Sequence, residues 1–285
     1  SCRALDQHHE TDQCPAIVKP AYTVHEVVRE GQARDESAHN AGKTFAHMFH
    51  DILHDLKSNV LSPYIMVESI GWFFGWHLLE RTFFPGIYRQ WNKQVQDFIA
   101  PPVVTEITAD KDDSGLGLTP EQQNAAIETA LRTMGLTDNF ARLVVVAGHT
   151  SMSDNNPFEA ALNCGACGGN SGEPNARLFA ALANKPEVRK ALAEKGLVIP
   201  EDTHFIGAVH NTTTDAVDLY DIEDVPASHR QDVATLKTDL ERAAIQNNLE
   251  RCLRLPGAEQ KRSPAEAVQE IQRRSGDWSE TRPEW

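Results

Sequence analysis

Positive charge is scarce in this sequence: 27 lysines and arginines stand against 41 aspartates and glutamates in 285 residues, a formal net charge of −14 with the histidines neutral. An acidic chain repels phosphate backbones, which excludes non-specific nucleic-acid binding. Long apolar runs are also missing. The most apolar stretch, Ser62 to Phe84, has its longest uncharged run from Ser69 to Leu79, and that run contains His77. It falls well short of the roughly 20 residues a membrane span needs. Cysteine is sparse: Cys2, Cys14 and Cys252 are isolated, and Cys164 and Cys167 form one close pair. Without regular spacing there is no disulfide framework, and a reducing compartment is expected. The sequence contains no glycine-rich dinucleotide fingerprint directly after a strand, no Walker-type Gly-Lys-Ser/Thr and no Gly-x-Ser-x-Gly elbow. Nucleotide chemistry and serine hydrolysis lose their usual signatures.

What is present is an ordinary globular composition, 40% apolar with 17 glycines and 15 prolines, long enough for one or two domains. Tyr22 to Val28 reads as a strand, and Ala16 to Pro20 as an extended piece. From Glu36 to Asn59, Phe45, Phe49, Ile52, Leu53 and Leu56 recur at helical spacing. The following apolar stretch reads as a buried core helix or a surface that docks a hydrophobic partner, with Trp72 and Trp76 on one helical face. Residues 100–118 read as a linker or exposed loop. Thr119, Pro120 and Gln122 spell a capping box, opening a helix that stops at Gly135. Leu143 to Ala147 is a continuous apolar run, expected to be a central strand covered on both faces. Helices follow from Pro174 and Pro186, then a strand from His204 to His210, a long helix over about Ala227 to Leu255, and another from Pro264 to Arg273. Helix, strand and polar turn thus recur in succession, which predicts an α/β fold with a sheet covered by helices and additional helical segments. Two regions are expected: residues 1–110, partly helical, and residues 111–285, carrying the chemistry.

That chemistry centres on the end of the first covered strand, where α/β folds bind ligands. His149 leaves the strand there, and the glycine-rich excursion after it carries Cys164 and Cys167. The C-x-x-C pair has three open readings: half of a metal site, a redox pair, or structural cysteines in a turn. An imidazole with a thiolate favours zinc, which lowers the pKa of a bound water toward about 7. His149 bound only to loop backbone is the competing reading. Asp154, Asn155 and Asn156 lie nearby in sequence. His210-Asn211-Thr212-Thr213-Thr214-Asp215 is a dense polar row at the second strand end, either lining a pocket or forming a capped turn. His50 and His54, four residues apart on a helix, read as boundary residues rather than ligands.

Gly148-His149-Thr150-Ser151, Asn155-Asn156-Pro157, Asn163-Cys164-Gly165-Ala166-Cys167-Gly168-Gly169, Pro174-Asn175-Ala176-Arg177 and the row from His210 to Asp215 together resemble the DabA family, large soluble subunits of a bacterial inorganic-carbon accumulation system. Cys14-Pro15, Leu118-Thr119-Pro120-Glu121, Arg273-Arg274-Ser275 and the segments from Asp277 to Trp285 continue the likeness in family order. The resemblance implies a longer polypeptide of which this chain is similar to the C-terminal part. It implies a region like β-class carbonic anhydrases, with zinc bound by two cysteines, an aspartate and a histidine. Here His149 and Cys164 would be the histidine and second cysteine. The first cysteine and the aspartate belong to a Cys-x-Asp-x-Arg segment that this chain lacks. Further implications are a DabB-like, cation-conducting membrane partner, hydration of carbon dioxide to bicarbonate, and a peripheral position on the cytoplasmic side of the cell membrane. Asp154, Asn211, Thr212 and Asp215 would line the pocket or support the ligands, and Cys167 is not counted a ligand. A non-catalytic scaffold or transport subunit and a dithiol redox module are the alternatives.

Overall fold

The computed structural model describes residues 2–6, 22–29, 33–111, 115–153, 155–156, 159–258 and 263–274. The extended piece expected at residues 16–20 and the tail after Arg274 lie outside them. The fold is mixed α/β, and the chain divides into two compact units. One comprises Ser1–Val27, Glu106–Met152 and Phe158–Ile271; the other comprises Val28–Thr105, Ser153–Pro157 and Gln272–Trp285.

The first unit contains two three-stranded sheets. In one, β1 (Cys2–Asp6) pairs in parallel with β2 (Tyr22–Val28), and β3 follows at Thr105–Thr108 in the order β1-β2-β3. The second unit, among the described residues, is built on α1 (Ala33–Ser58), α2 (Ser62–Phe83) and α3 (Pro85–Ile99). The strand β3 sits where a linker was expected. Its four residues Thr105-Glu106-Ile107-Thr108 alternate in burial, too short a pattern to stand out beside the prolines and glycines around it. Ala109 and Leu118, within the same stretch, are 3% and 1% exposed.

The capping box forms as spelled. Thr119 Oγ1 accepts from the Gln122 N–H at 3.3 Å, and Gln122 Oε1 accepts from the Thr119 N–H at 2.8 Å. These bonds open α4 (Pro120–Met134), which closes on Gly135 in the left-handed region at φ 71°. Next comes β4 (Leu143–Thr150), then the short α5 (Glu159–Leu162), α6 (Glu173–Asn184), α7 (Pro186–Glu194), β5 (His204–Asn211) and β6 (Val217–Leu219). The long α8 (Arg230–Cys252) and α9 (Pro264–Arg274) follow.

The second sheet has the order β4-β5-β6, with β4 parallel and β6 antiparallel to β5. This corrects the expectation for Leu143 to Ala147. Among the described residues β5 is the central strand, with Phe205 to Val209 all buried, whereas β4 lies at the edge and is half-buried. An apolar run reports the environment of a strand's faces but not how many neighbours it has.

The main core lies between this sheet and α4, α6 and α7. Ile127, Leu131, Leu182, Val188, Leu192 and Phe205 are each 2% exposed or less, and Val144 and Val146 pack against them. Each such side chain contributes roughly 1.5–3 kcal/mol of burial. A smaller cluster joins Cys252 of α8 to Ala258, Ala267 and Ile271.

In the three-helix unit Gly42 lets α1 approach the end of α3 closely: a Cβ there would lie 1.9 Å from the Ile99 carbonyl oxygen. No residue of α2 is buried, which overturns the core-helix reading of the apolar stretch. Trp72 and Trp76 are 76% and 60% exposed. No helix among the described residues is long and apolar enough to cross a membrane. His50 and His54 are exposed beside Asp51 and Asp55.

Candidate functional site

His149 is the penultimate residue of β4, inside the strand rather than beyond it. Its Cα is in register with that of His210 in β5, so the two side chains leave the same face of the sheet at its C-terminal end. The His149 carbonyl accepts from the Gly172 N–H at 2.9 Å. This bond brings the start of α6 against the strand end, and only glycines permit it: a Cβ on Gly148 would sit 2.5 Å from the Gly172 carbonyl oxygen.

The segment from Asn163 to Gly172 is folded back on the same strand end. Asn163 Oδ1 accepts from Thr150 Oγ1 at 3.1 Å, the Ser151 N–H at 2.8 Å and Ser151 Oγ at 3.1 Å. The residue before Cys164 is therefore bonded to the two residues that follow His149. Cys164 is fixed in turn through its own backbone. Its N–H donates to the Asn170 carbonyl at 3.1 Å, and its carbonyl accepts from the N–H groups of Cys167 and Gly169, both at 3.0 Å. Gly168 and Gly169, at φ 68° and 83°, supply the left-handed backbone that this tight loop requires.

Cys164 and Cys167 are both free thiols and half-buried. Burial, followed by a hydrogen bond with Cys164, pushes the Cys167 thiol up to about 11, while a 3.1 Å bond from Asn175 Nδ2 to its Sγ partly offsets this. Cys167 is thereby held as a neutral thiol at physiological pH.

The polar row at the end of β5 is a hydrogen-bonded turn. Asn211 Oδ1 accepts from the N–H groups of Thr213 at 3.0 Å and Thr214 at 3.4 Å. Thr212 N–H and Oγ1 donate to the Thr150 carbonyl at 2.8 and 3.1 Å, and the Met152 N–H donates to Thr213 Oγ1 at 3.0 Å. Asp215, in the left-handed region at φ 61°, lies 3.2 Å from His210 Nε2 and accepts from Arg251 at 2.7 Å. The row thus ties the β4 end, the β5–β6 turn and α8 together. Asp154 and Pro157 lie outside the described residues, and Asn155, in the other unit, is buried and donates to the Arg81 carbonyl at 3.1 Å.

One charged cluster was visible in sequence only as part of a motif. Arg177 of α6 is 4% exposed and donates to Asp221 at 2.8 and 2.9 Å, Glu26 at 2.9 Å and Glu173 at 3.2 Å, with its guanidinium over the Tyr220 ring. These partners hold the guanidinium charged in spite of burial. Burial raises the Glu173 carboxyl and the Tyr220 hydroxyl above their ordinary ranges. The i,i+4 spacing of Glu173 and Arg177 was the one local signal; Glu26 and Asp221 arrive from distant parts of the chain. The cluster anchors the first turn of α6, directly after Gly172.

Among the described residues no group of three or more histidine, cysteine, aspartate or glutamate side chains could hold a metal. The His149 imidazole and Cys164 thiol are donors of the type zinc takes, and two donors make half of a tetrahedral set.

The fold and this corner define an α/β protein with an imidazole at a parallel strand end and a dithiol loop bonded back beside it. The chain belongs to the DabA family: the family model described as "Probable inorganic carbon transporter subunit DabA" matches residues 1–285. A Legionella pneumophila protein of that description is 41% identical over 287 residues, covering 100% of this chain and 37% of its own length. Relatives from Sorangium cellulosum and Natronomonas pharaonis are 38% and 39% identical, with 99% and 96% of this chain and 28% and 33% of theirs covered. The chain thus spans about a third of the length of these curated relatives. No solved structure matches it.

Proposed function

We propose that this chain is the part of an inorganic-carbon uptake subunit that supplies two ligands, His149 and Cys164, to a zinc site for hydrating carbon dioxide to bicarbonate. The observation that carries this reading is the threefold bonding of Asn163, which secures the Cys164 loop to the residues after His149. The names of the relatives support the substrate class. Membership of the DabA family supports the metal through what the resemblance implies, a β-class carbonic-anhydrase-like region with a further cysteine and an aspartate from a Cys-x-Asp-x-Arg segment. Zinc, when bound, supplies polarisation of a water for attack on carbon dioxide. The chain's own residues orient that chemistry: the strand and Gly172 fix His149, Asn163 and the Cys164 backbone bonds fix the thiol, and His210 with Asp215 lies on the same sheet face. The protonated Cys167 fits a supporting role beside Cys164.

The exposed apolar face of α2 supports docking to a partner; a DabB-type membrane partner and a peripheral position on the cytoplasmic side follow from the family resemblance alone. Elemental analysis of a polypeptide of the relatives' length tests the metal site. His149→Ala and Cys164→Ser should each remove most of the bound zinc, and zinc content unchanged in both would overturn the ligand assignment.

A further inference from the structure

The thiol of Cys167 is a group beside the candidate zinc site that the hydration chemistry leaves unused. Cys164 and Cys167 are the two ends of one four-residue turn, closed by the 3.0 Å bond from the Cys167 N–H to the Cys164 carbonyl. Such a turn holds its first and last Cα atoms within about 7 Å, and a disulfide bridges Cα atoms about 4.4–6.8 Å apart. The two thiols are already in hydrogen-bond contact. A bridge between them therefore asks for side-chain rotation more than for backbone movement.

The pair is also reachable. Both cysteines are free and half-buried, whereas Cys252 is 0% exposed in its cluster with Ala258, Ala267 and Ile271. The loop keeps the two sulfurs together: the Gly169 N–H closes on the same Cys164 carbonyl, and Asn175 Nδ2 donates to the Cys167 Sγ at 3.1 Å. A cysteine with a second thiol poised next to it is the arrangement that turns oxidation into a reversible event, because the neighbour traps the first oxidation product before further oxygen is added.

We infer that Cys164 and Cys167 form a reversible disulfide, a modification site at which hydrogen peroxide withdraws the Cys164 thiolate from metal binding. The Cys164 thiolate attacks one peroxide oxygen and the O–O bond breaks. The other oxygen leaves as hydroxide and takes up the proton that the Cys164 thiol released, giving water. Cys164 is then a sulfenic acid. The Cys167 sulfur displaces its hydroxyl, so that the S–S bond forms while that hydroxyl and the Cys167 proton depart as a second water. Two thiols have given up two electrons and two protons, and one peroxide has become two waters. A dithiol reductant restores the pair by exchange. The disulfide stands on the turn geometry. Its consequence for zinc rests on the proposed ligation by Cys164, since a sulfur ligand must be a thiolate.

Hydrogen peroxide added to the reduced 285-residue chain tests the pair. After denaturation in excess N-ethylmaleimide, the tryptic peptide from Leu143 to Arg177 carries both cysteines and Met152. Its cysteines should be unlabelled and joined, with two hydrogens lost, and dithiothreitol should return two labelled thiols. Cys167→Ser should instead leave Cys164 gaining oxygen in steps that dithiothreitol only partly reverses. Both thiols still labelled once Met152 has become the sulfoxide would overturn the inference. So would oxygen gained by Cys164 with Cys167 still free, or a bridge from either one to another cysteine. In a zinc-loaded polypeptide of the relatives' length, molecules carrying the disulfide should lose most of their zinc and regain it after reduction. A disulfide formed with zinc fully retained would overturn the metal consequence, and with it the ligand role of Cys164, while the pair itself would stand.

Discussion

Asn163 shows how one side chain can decide a local architecture. Its side-chain carbonyl oxygen gathers three donors from Thr150 and Ser151, using an uncharged acceptor that needs no counter-ion when buried. Asn163→Ala should cost about 2 kcal/mol, the scale expected when buried donors lose their acceptor. It should also loosen the Cys164 loop, seen as lower chemical stability and faster alkylation of Cys164. Arg177 presents the opposite case, a nearly buried cation holding three carboxylates. Arg177→Met leaves Asp221, Glu26 and Glu173 without their counter-charge, and urea unfolding should show a loss of about 3–5 kcal/mol. Cys167, held up to about 11 by burial and its contact with Cys164, should alkylate slowly at pH 8, with its rate still climbing between pH 9 and 11 as the thiolate forms.

At the level of elements, the core helices are stabilised by burial and located by a few polar ties. Leu182 of α6 is 1% exposed, and Leu182→Ala should lower stability by about 2–5 kcal/mol, read from the denaturant midpoint. The end of β3 is tied to the junction of α6 and α7 by Asp110, which accepts from Lys185 at 2.6 Å and Gln123 at 2.8 Å. These bonds, that of Lys185 foremost, hold the Asp110 carboxyl below the usual carboxylate range. Because its folded-state pKa is depressed, the stabilisation is complete above the unfolded-state pKa and lost as pH falls through the folded-state value. Thermal melts from pH 6 down to pH 3 should therefore fall more steeply for the wild type than for Asp110→Asn, which lacks that titration.

For the molecule as a whole, the acidic charge and the exposed apolar helix point to different surroundings. The net charge of −14 disfavours nucleic acid, while α2, without a buried residue, presents more apolar surface than solvent contact alone explains. Replacing Trp72 and Trp76 together with serine should leave folding stability within about 0.5 kcal/mol, since both are mostly exposed. If α2 docks the proposed membrane partner, the same double variant should reduce co-sedimentation of the protein with membranes carrying a DabB-type subunit; undiminished co-sedimentation would remove α2 from that proposal.

Much of this architecture was legible in the sequence because it rests on local physics. The Thr119–Gln122 box, the stop at Gly135, the helices begun at Pro186 and Pro264 and the β5 strand follow from capping chemistry and periodicity, which neighbouring residues enforce by themselves. The positions of His149 and Cys164, at a strand end and in the glycine-rich excursion after it, were likewise readable. Only the tertiary structure decided what depends on partners far along the chain. It placed β5 rather than β4 at the centre of its sheet and made a strand of Thr105–Thr108. It left α2 uncovered and assembled Arg177 with Glu26 and Asp221. Apolarity records that a residue avoids water, whereas the identity of what covers it is set by packing among distant segments.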